Sequence, residues 1–271
     1  TKGQGAGNDP DTGARAAAES LVEIKAAVEG ENLLFVTGGL GGGTGTGSIP
    51  IVAAEAKKHG ILTVAVVTLP FLMEGQRRWD NAMRGLQNLE QNCDAIVLLP
   101  NEKLLKTCQD LPLPVAFQMS DSVLANGIRG IIELITKPGL VNLDFSDLTA
   151  VLRNSGVALI SVGESDSNNR ADEAITKALS NPLLDVNLHG ASGALVNVLG
   201  GSDLTLSEAQ KIVNKVNEAL NPDAKVIWGA QVDASLGKLL KVLVIITGLS
   251  AKAIVDSHAD AHGFVQLDEL Q

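Results

Sequence analysis

Ten consecutive residues, Gly38-Gly39-Leu40-Gly41-Gly42-Gly43-Thr44-Gly45-Thr46-Gly47, include seven glycines. Lacking a Cβ, glycine reaches positive φ and lets several backbone N–H groups converge on one anion. The run follows the apolar stretch Asn32-Leu33-Leu34-Phe35-Val36-Thr37 and leads into a helix predicted from Ser48 to His59, whose N-terminal dipole points at the same spot. Strand, glycine loop and helix together predict a phosphate cradle; a tight turn would need only one or two glycines. A Walker loop requires Lys followed by Ser or Thr, whereas Gly47 is followed by Ser48 and Ile49. A dinucleotide fingerprint requires an acidic residue ending the next strand, which reads Val67-Thr68-Leu69-Pro70. Neither of these common phosphate sites fits.

The stretch Asn142-Leu143-Asp144-Phe145-Ser146-Asp147 carries two carboxylates three residues apart at the start of a predicted helix. Spacing alone leaves two readings open. Asp144 can be a helix cap with Asp147 as its capping-box partner, or the pair can act on a reacting group. His258 and His262 have the i, i+4 spacing of metal ligands. They fall in a polar stretch without hydrophobic pattern, expected to be a mobile tail, so no metal site is assigned. His59 and His189 stand beside glycines and read as surface residues.

The elements that position these groups alternate. A helix is predicted from Pro10 to Val28, closed by Gly30. Apolar strands at 32–37, 61–68 and 95–99 are separated by helices at 48–59 and 75–92, which argues for a parallel sheet covered on both faces. A long helix from Val115 to Thr136 stops at Lys137-Pro138-Gly139. Beyond it, strands at 157–162, 194–199, 225–231 and 240–247 alternate with helices at 170–179 and 207–220. The expected fold class is α/β: a parallel-sheet nucleotide-binding domain joined by a long central helix to a second, smaller α/β domain with a mixed sheet. The boundaries are 1–114, 115–136 for the central helix, 137–250, and a tail at 251–271.

Composition excludes several functions. The 271 residues carry a formal net charge of −10 with no Lys/Arg cluster, which argues against nucleic acid as a partner. A phosphate-bearing ligand must then be held by backbone N–H groups and a few chosen side chains. Two cysteines, Cys93 and Cys108, read as reduced cytosolic thiols. No apolar run reaches membrane-spanning length, so direct membrane insertion is not expected and the compartment is read as cytoplasm.

The run Gly41-Gly42-Gly43-Thr44-Gly45-Thr46-Gly47 resembles the signature of the tubulin/FtsZ family of GTPases, in its FtsZ form. The resemblance covers nearly the whole chain. Gly5-Ala6-Gly7-Asn8-Asp9-Pro10 looks like the family's preceding phosphate loop, and Leu69-Pro70-Phe71 with Glu74-Gly75 and Arg77-Arg78 like its ribose-side loop. Leu99-Pro100-Asn101-Glu102-Lys103-Leu104 is similar to the stretch beside the base, and Leu134-Ile135-Thr136-Lys137-Pro138-Gly139-Leu140 to the end of the central helix. Gly163-Glu164-Ser165-Asp166-Ser167 and Ile227-Trp228-Gly229-Ala230 resemble the archaeal members.

This resemblance implies GTP or GDP as ligand with Mg²⁺, and hydrolysis at the contact between subunits assembled head-to-tail. It implies that Phe117 stacks on guanine and that Asp121, one helical turn on, accepts from its donor groups. Asn101 would sit beside the base, Glu74 on the ribose, Arg78 near sugar or phosphate, and Thr44 at the terminal phosphate. Gly7 and Asn8 would belong to the same binding surface. Without the resemblance, Phe117 reads as core and Glu74 with Arg77 and Arg78 as a solvated helix start. The family's Asn-x-Asp-x-x-Asp loop maps onto Asn142, Asp144 and Asp147, which one subunit would insert into its neighbour's site. Phe264-Val265-Gln266-Leu267-Asp268-Glu269-Leu270 is similar to terminal peptides that dock on membrane-tether proteins at the division site. A non-hydrolysing structural or regulatory relative is the alternative function. The resemblance also implies a first strand and a first glycine loop ahead of Thr1. The expectation is therefore that an N-terminal segment is missing, and that the chain by itself binds nucleotide weakly or not at all, whereas the full-length protein binds it.

Overall fold

The computed structural model describes residues 3–103, 113–137, 139–141, 143–181, 184, 187–251 and 254. The chain forms two compact units: Thr1–Gln109 with Leu152–Val157 and Ala251–Gln271, and Asp110–Val151 with Ala158–Ser250.

In the first unit, β1 (Leu33–Gly39), β2 (Leu62–Leu69) and β3 (Ala95–Pro100) lie side by side in that order, all parallel. Nearly every residue of β2 and all of β3 are buried. Such uniform burial is what a run of Val, Ile, Leu and Ala gives when helices cover both faces of a parallel sheet. The helices are α1 (Pro10–Glu19), α2 (Leu21–Val28), α3 (Thr44–Lys58) and α4 (Gln76–Asn92). Pro10 opens α1, and the Asp9 side chain caps it by accepting from the N–H groups of Asp11 and Thr12, each at 3.2 Å. The single helix expected from Pro10 to Val28 is broken at Ser20, whose backbone leaves the helical region at φ −101°, ψ 24°. Neither Gly nor Pro marks that break, which is why the sequence does not announce it.

The glycine run also departs from expectation. α3 starts at Thr44, four residues earlier than predicted, so Gly45 and Gly47 are helical. Close contact explains it. A Cβ on Gly47 would stand 2.0 Å from the Pro10 carbonyl oxygen, and one on Gly13 would stand 2.2 Å from that of Gly43. The backbones of α1 and α3 touch where no side chain fits, and this contact overrides the poor helix propensity of glycine. Pro50 then lies inside α3, where it offers no N–H to the carbonyl of Thr46.

In the second unit the strands are β4 (Gly156–Ser165), β5 (Gly193–Gly200), β6 (Lys225–Val232) and β7 (Leu240–Leu249), in the order β4-β7-β5-β6. β5 runs parallel to β6 and antiparallel to β7, so the sheet is mixed. The helices are α5 (Leu113–Thr136), α6 (Phe145–Leu152), α7 (Arg170–Leu179) and α8 (Leu206–Ala219). α5 approaches the sheet through small residues: a Cβ on Gly127 would meet Ile160 Cδ1 at 2.5 Å, and one on Gly130 would meet Leu243 Cδ2 at 2.3 Å. Leu134 continues the same face one turn on.

Candidate functional site

Two loops of the first unit meet to form the cradle. A Cβ on Gly43 would stand 2.7 Å from both Ala6 Cβ and the Asp9 nitrogen, so only glycine lets the loops touch. Asn81 on α4 pins them together. Its Nδ2 donates to the carbonyls of Asn8 at 3.1 Å and Gly41 at 3.2 Å. Gly41 has φ +100°, and its N–H donates to Thr46 Oγ1 at 2.9 Å. Thr46 is 1% exposed. Its hydroxyl therefore shapes the loop from inside and does not face a ligand. Gly45 and Gly47 likewise serve close contacts, with Gly39 and with α1.

The outer side is different. No atom lies within 4 Å of a Cβ built on Gly42 or on Gly7, and Gly7 and Thr44 are exposed. Gly7 and Asn8 both adopt left-handed backbone, at φ 61° and 63°. Asn8 Oδ1 is buried without a hydrogen-bond partner among the described residues, an acceptor open to a donor or a cation and not to the anion itself. The geometry fits an anion on the glycine loop: a Cβ at Gly42 would fill space the backbone leaves clear. The Asp9 carboxyl is held below its usual range, chiefly by the Thr12 hydroxyl, so it stays ionised as the α1 cap.

The expected ribose-side residues sit on the element that touches this loop. Gly41 packs against the start of α4, where a Cβ would stand 2.9 Å from the Arg78 carbonyl oxygen. Glu74 ends the short turn Leu72–Glu74; its Oε1 accepts from the Phe71 N–H at 2.9 Å and its Oε2 pairs with Arg78. Each oxygen keeps a further acceptor site beyond these bonds, so Glu74 can accept from a ribose hydroxyl without releasing either partner. Asn101 is buried just past β3, and Glu102 beside it accepts from the Leu72 N–H at 3.1 Å.

The remaining candidates lie in the second unit. Phe117 and Asp121 are one turn apart on α5; Asp121 is exposed, and only the backbone of Phe117 is described. Asp144 and Asp147 bond reciprocally. The Asp147 N–H donates to Asp144 Oδ1 at 2.8 Å, and the Asp144 N–H donates to Asp147 Oδ2 at 3.2 Å. This is the capping box that spacing allowed, built at the start of α6. One oxygen of each carboxylate takes part, and the other has no partner among the described residues. Asn142, His258, His262 and the segment Phe264–Leu270 lie outside the described residues. Asn81 is a site residue that sequence reasoning missed. Its signal was a polar residue on the buried face of α4, among Trp79, Ala82 and Met83.

Comparison with known proteins agrees across the chain. The model of the tubulin/FtsZ family, GTPase domain, matches residues 1–109, and that of the FtsZ family, C-terminal domain, matches 156–250. The chain is 53% identical over 252 residues to cell division protein FtsZ 1 of Methanocaldococcus jannaschii, covering 93% of this chain and 69% of that protein. It is likewise 53% identical over 251 residues to FtsZ 1 of Thermococcus kodakarensis, covering 93% and 67%. Among solved structures, an empty FtsZ dimer from M. jannaschii superposes with a TM-score of 0.89 at 53% identity, over 93% of this chain and 74% of that one. The chain therefore belongs to the tubulin/FtsZ family of GTPases.

Proposed function

We infer that the protein binds GTP on the cradle of its first unit, assembles head-to-tail, and hydrolyses GTP where the Asp144–Asp147 loop of one subunit meets the nucleotide of the next. The observation that carries this reading is the carboxylate pair oriented by its capping box, Asp144 exposed and Asp147 half-buried, with one oxygen of each acid unbonded among the described residues. Gly42 and Thr44 would line the terminal phosphate, Gly7 and Asn8 the neighbouring loop, and Glu74 with Arg78 the sugar side. Asn101, Phe117 and Asp121 would select the base, a carboxylate there accepting from guanine donors that adenine does not offer. Asp144 and Asp147, with Asn142, would orient and polarise the attacking water. Hydrolysis of this kind depends mainly on positioning and charge stabilisation, so splitting the site makes turnover conditional on assembly. A contact between two different faces does not close on itself and generates a filament.

Among the described residues no group of three or more His, Cys, Asp or Glu side chains converges as a metal site. An Mg²⁺ ion would thus be held mainly by the phosphates and water, as suits this cation, and would offset phosphate charge. A role in the division ring, at the division site of the cytoplasm, comes with this reading, as does docking of the Phe264–Leu270 segment on a membrane-tether protein. Among the described residues no helix is long and apolar enough to cross a membrane.

The test is phosphate release from GTP against protein concentration, with Mg²⁺, for the protein and for Asp147→Asn. The Asn side chain keeps the acceptor that the Asp144 N–H needs while removing the charge. Turnover per subunit should rise steeply above a threshold concentration and drop by about a hundredfold or more in D147N with GTP binding retained. A flat rate per subunit, or full turnover in D147N, contradicts the shared site.

A further inference from the structure

β6 offers consecutive residues to the segment joining α5 to α6. Side chains alternate along a strand, so Gly229 and Gln231 share one face. On that face Gly229 admits α5: a Cβ there would stand 3.0 Å from Leu134 Cδ2 and 3.3 Å from the Val141 carbonyl oxygen. Gln231, 4% exposed, donates from Nε2 to the Glu133 carbonyl at 2.8 Å. That carbonyl belongs to the last turn of α5 and also accepts from the Lys137 N–H at 2.9 Å. Gln231 thus supplies a second donor, from outside the helix, to a carbonyl of its last turn.

The neighbouring Ala230 grips the chain further on. Its carbonyl accepts from the N–H groups of Leu140 at 2.8 Å and Val141 at 3.2 Å, and its N–H donates to the Val141 carbonyl at 3.2 Å. This antiparallel bridge sits on β6, the outer strand of the unit's sheet. Gly139 is pressed onto the same carbonyl, at a Cβ distance of 2.4 Å. Asp144 follows three residues after Val141, a reach of at most about 10 Å. A bridge of one residue pair fixes one point and leaves a pivot. The Gln231 bond supplies a second point on the same strand.

We propose that Gln231 is a positioning residue for the Asp144–Asp147 pair, holding the end of α5 so that the following loop presents both carboxylates in one orientation. The proposal rests on the role given to that pair above. Gln231→Met tests it, because Met fills the buried space and lacks the donor. GTP affinity, sedimented polymer and phosphate release per assembled subunit are measured together, with D147N in parallel. The expected result is unchanged GTP affinity and KM, and a turnover at saturating GTP at least about tenfold lower, the scale set by misplacement of a reacting group. Gln231→Asn keeps the amide but falls one methylene short, and should behave the same way. Wild-type turnover in Q231M, while D147N is inactive, overturns the proposal alone. Full turnover in D147N instead removes the reading beneath it. If neither Gln231 variant folds, the residue is purely structural and the proposal falls as well.

Discussion

Replacing Gly47 with alanine would place a Cβ 2.0 Å from the Pro10 carbonyl oxygen and 2.6 Å from the Ala14 nitrogen, whereas real Cβ contacts essentially never fall under 3.0 Å. Both partners are backbone, so α1 as a whole must retreat from α3, by about 1 Å in a close-packed interior. Overpacking costs about 1–3 kcal/mol, and the upper end applies where no flexible side chain can yield. At about 2–4 °C per kcal/mol for a chain of this size, Tm should fall by about 6–12 °C. Gly42→Ala is the contrasting case. Nothing lies within 4 Å of its Cβ position and its φ is not in the left-handed region, so the fold should keep its Tm within about 2 °C. The methyl group would occupy the side of the loop assigned to phosphate, and GTP affinity should fall at least tenfold, about 1.4 kcal/mol. Thermal unfolding by circular dichroism and equilibrium binding of a fluorescent GTP analogue read the two effects separately. Unchanged GTP affinity in G42A would refute the assignment of the outer face, and an unchanged Tm in G47A would refute the contact argument.

Two further outcomes concern the ion network that ties α7 to α8. Arg170, 7% exposed, bonds both oxygens of Asp203 at 3.0 Å, Glu208 at 2.6 Å and the Lys238 carbonyl at 2.8 Å. Arg170→Met leaves Glu208 without its cation; Asp203 is half-exposed and regains water, so the loss should sit near the lower end for a broken buried pair, about 3 kcal/mol, read as a lower urea midpoint. An unshifted midpoint would mean that the network contributes nothing net. The second outcome is its acid dependence. The Arg170 guanidinium, bonded to Glu208, is the main cause drawing that carboxyl down from 4.5 to about 2. A depressed carboxylate stabilises the fold above its unfolded pKa, and that contribution fades as pH falls from about 4.5 toward 2. At about 1.4 kcal/mol per pH unit, and discounted for partial exposure, it amounts to about 2–3 kcal/mol. The pH–stability slope below 4.5 should flatten in R170M, and equal slopes in the two proteins would count against the assignment.

What the sequence revealed depended on how local each signal was. Continuous apolar runs such as Leu62–Leu69 have one stable environment, so β2 and its parallel neighbours could be read directly. The glycine run stood out as a candidate anion loop because its composition is extreme. Its inner division of labour was not: that Gly42 faces outward while Gly47 meets α1 depends on where Pro10 lands in space. The break at Ser20 was invisible because no backbone-restricting residue marks it. Nothing local marked Arg170 beyond its place at the start of the helix at 170–179, since its partners Asp203 and Glu208 lie 33 and 38 residues away. Asn81 and Gln231 escaped notice for the same reason. Each is a buried amide whose purpose is set by backbone carbonyls from distant segments.

Asp144 and Asp147 were open to two readings, helix cap or reacting acids; the geometry shows the cap and is compatible with the second role. A carboxylate has two oxygens. Each acid gives one to the backbone N–H of the other, and this fixes both side-chain rotamers on a helix anchored by Leu148 and Leu152, each 0% exposed. The second oxygens are then presented in a fixed relation to each other. Two free aspartates would lose rotamer freedom on engaging a water and a phosphate, whereas the cap has already removed it, so that loss does not weigh on the reacting step. A cap of this kind also works with Asn or Ser in place of Asp, since only an acceptor is needed. Charge at both positions is the part that capping does not require, and charge is what a water-activating site demands. Substitutions that keep the acceptor and remove the charge therefore report on chemistry, and substitutions to alanine confuse it with the stability of α6.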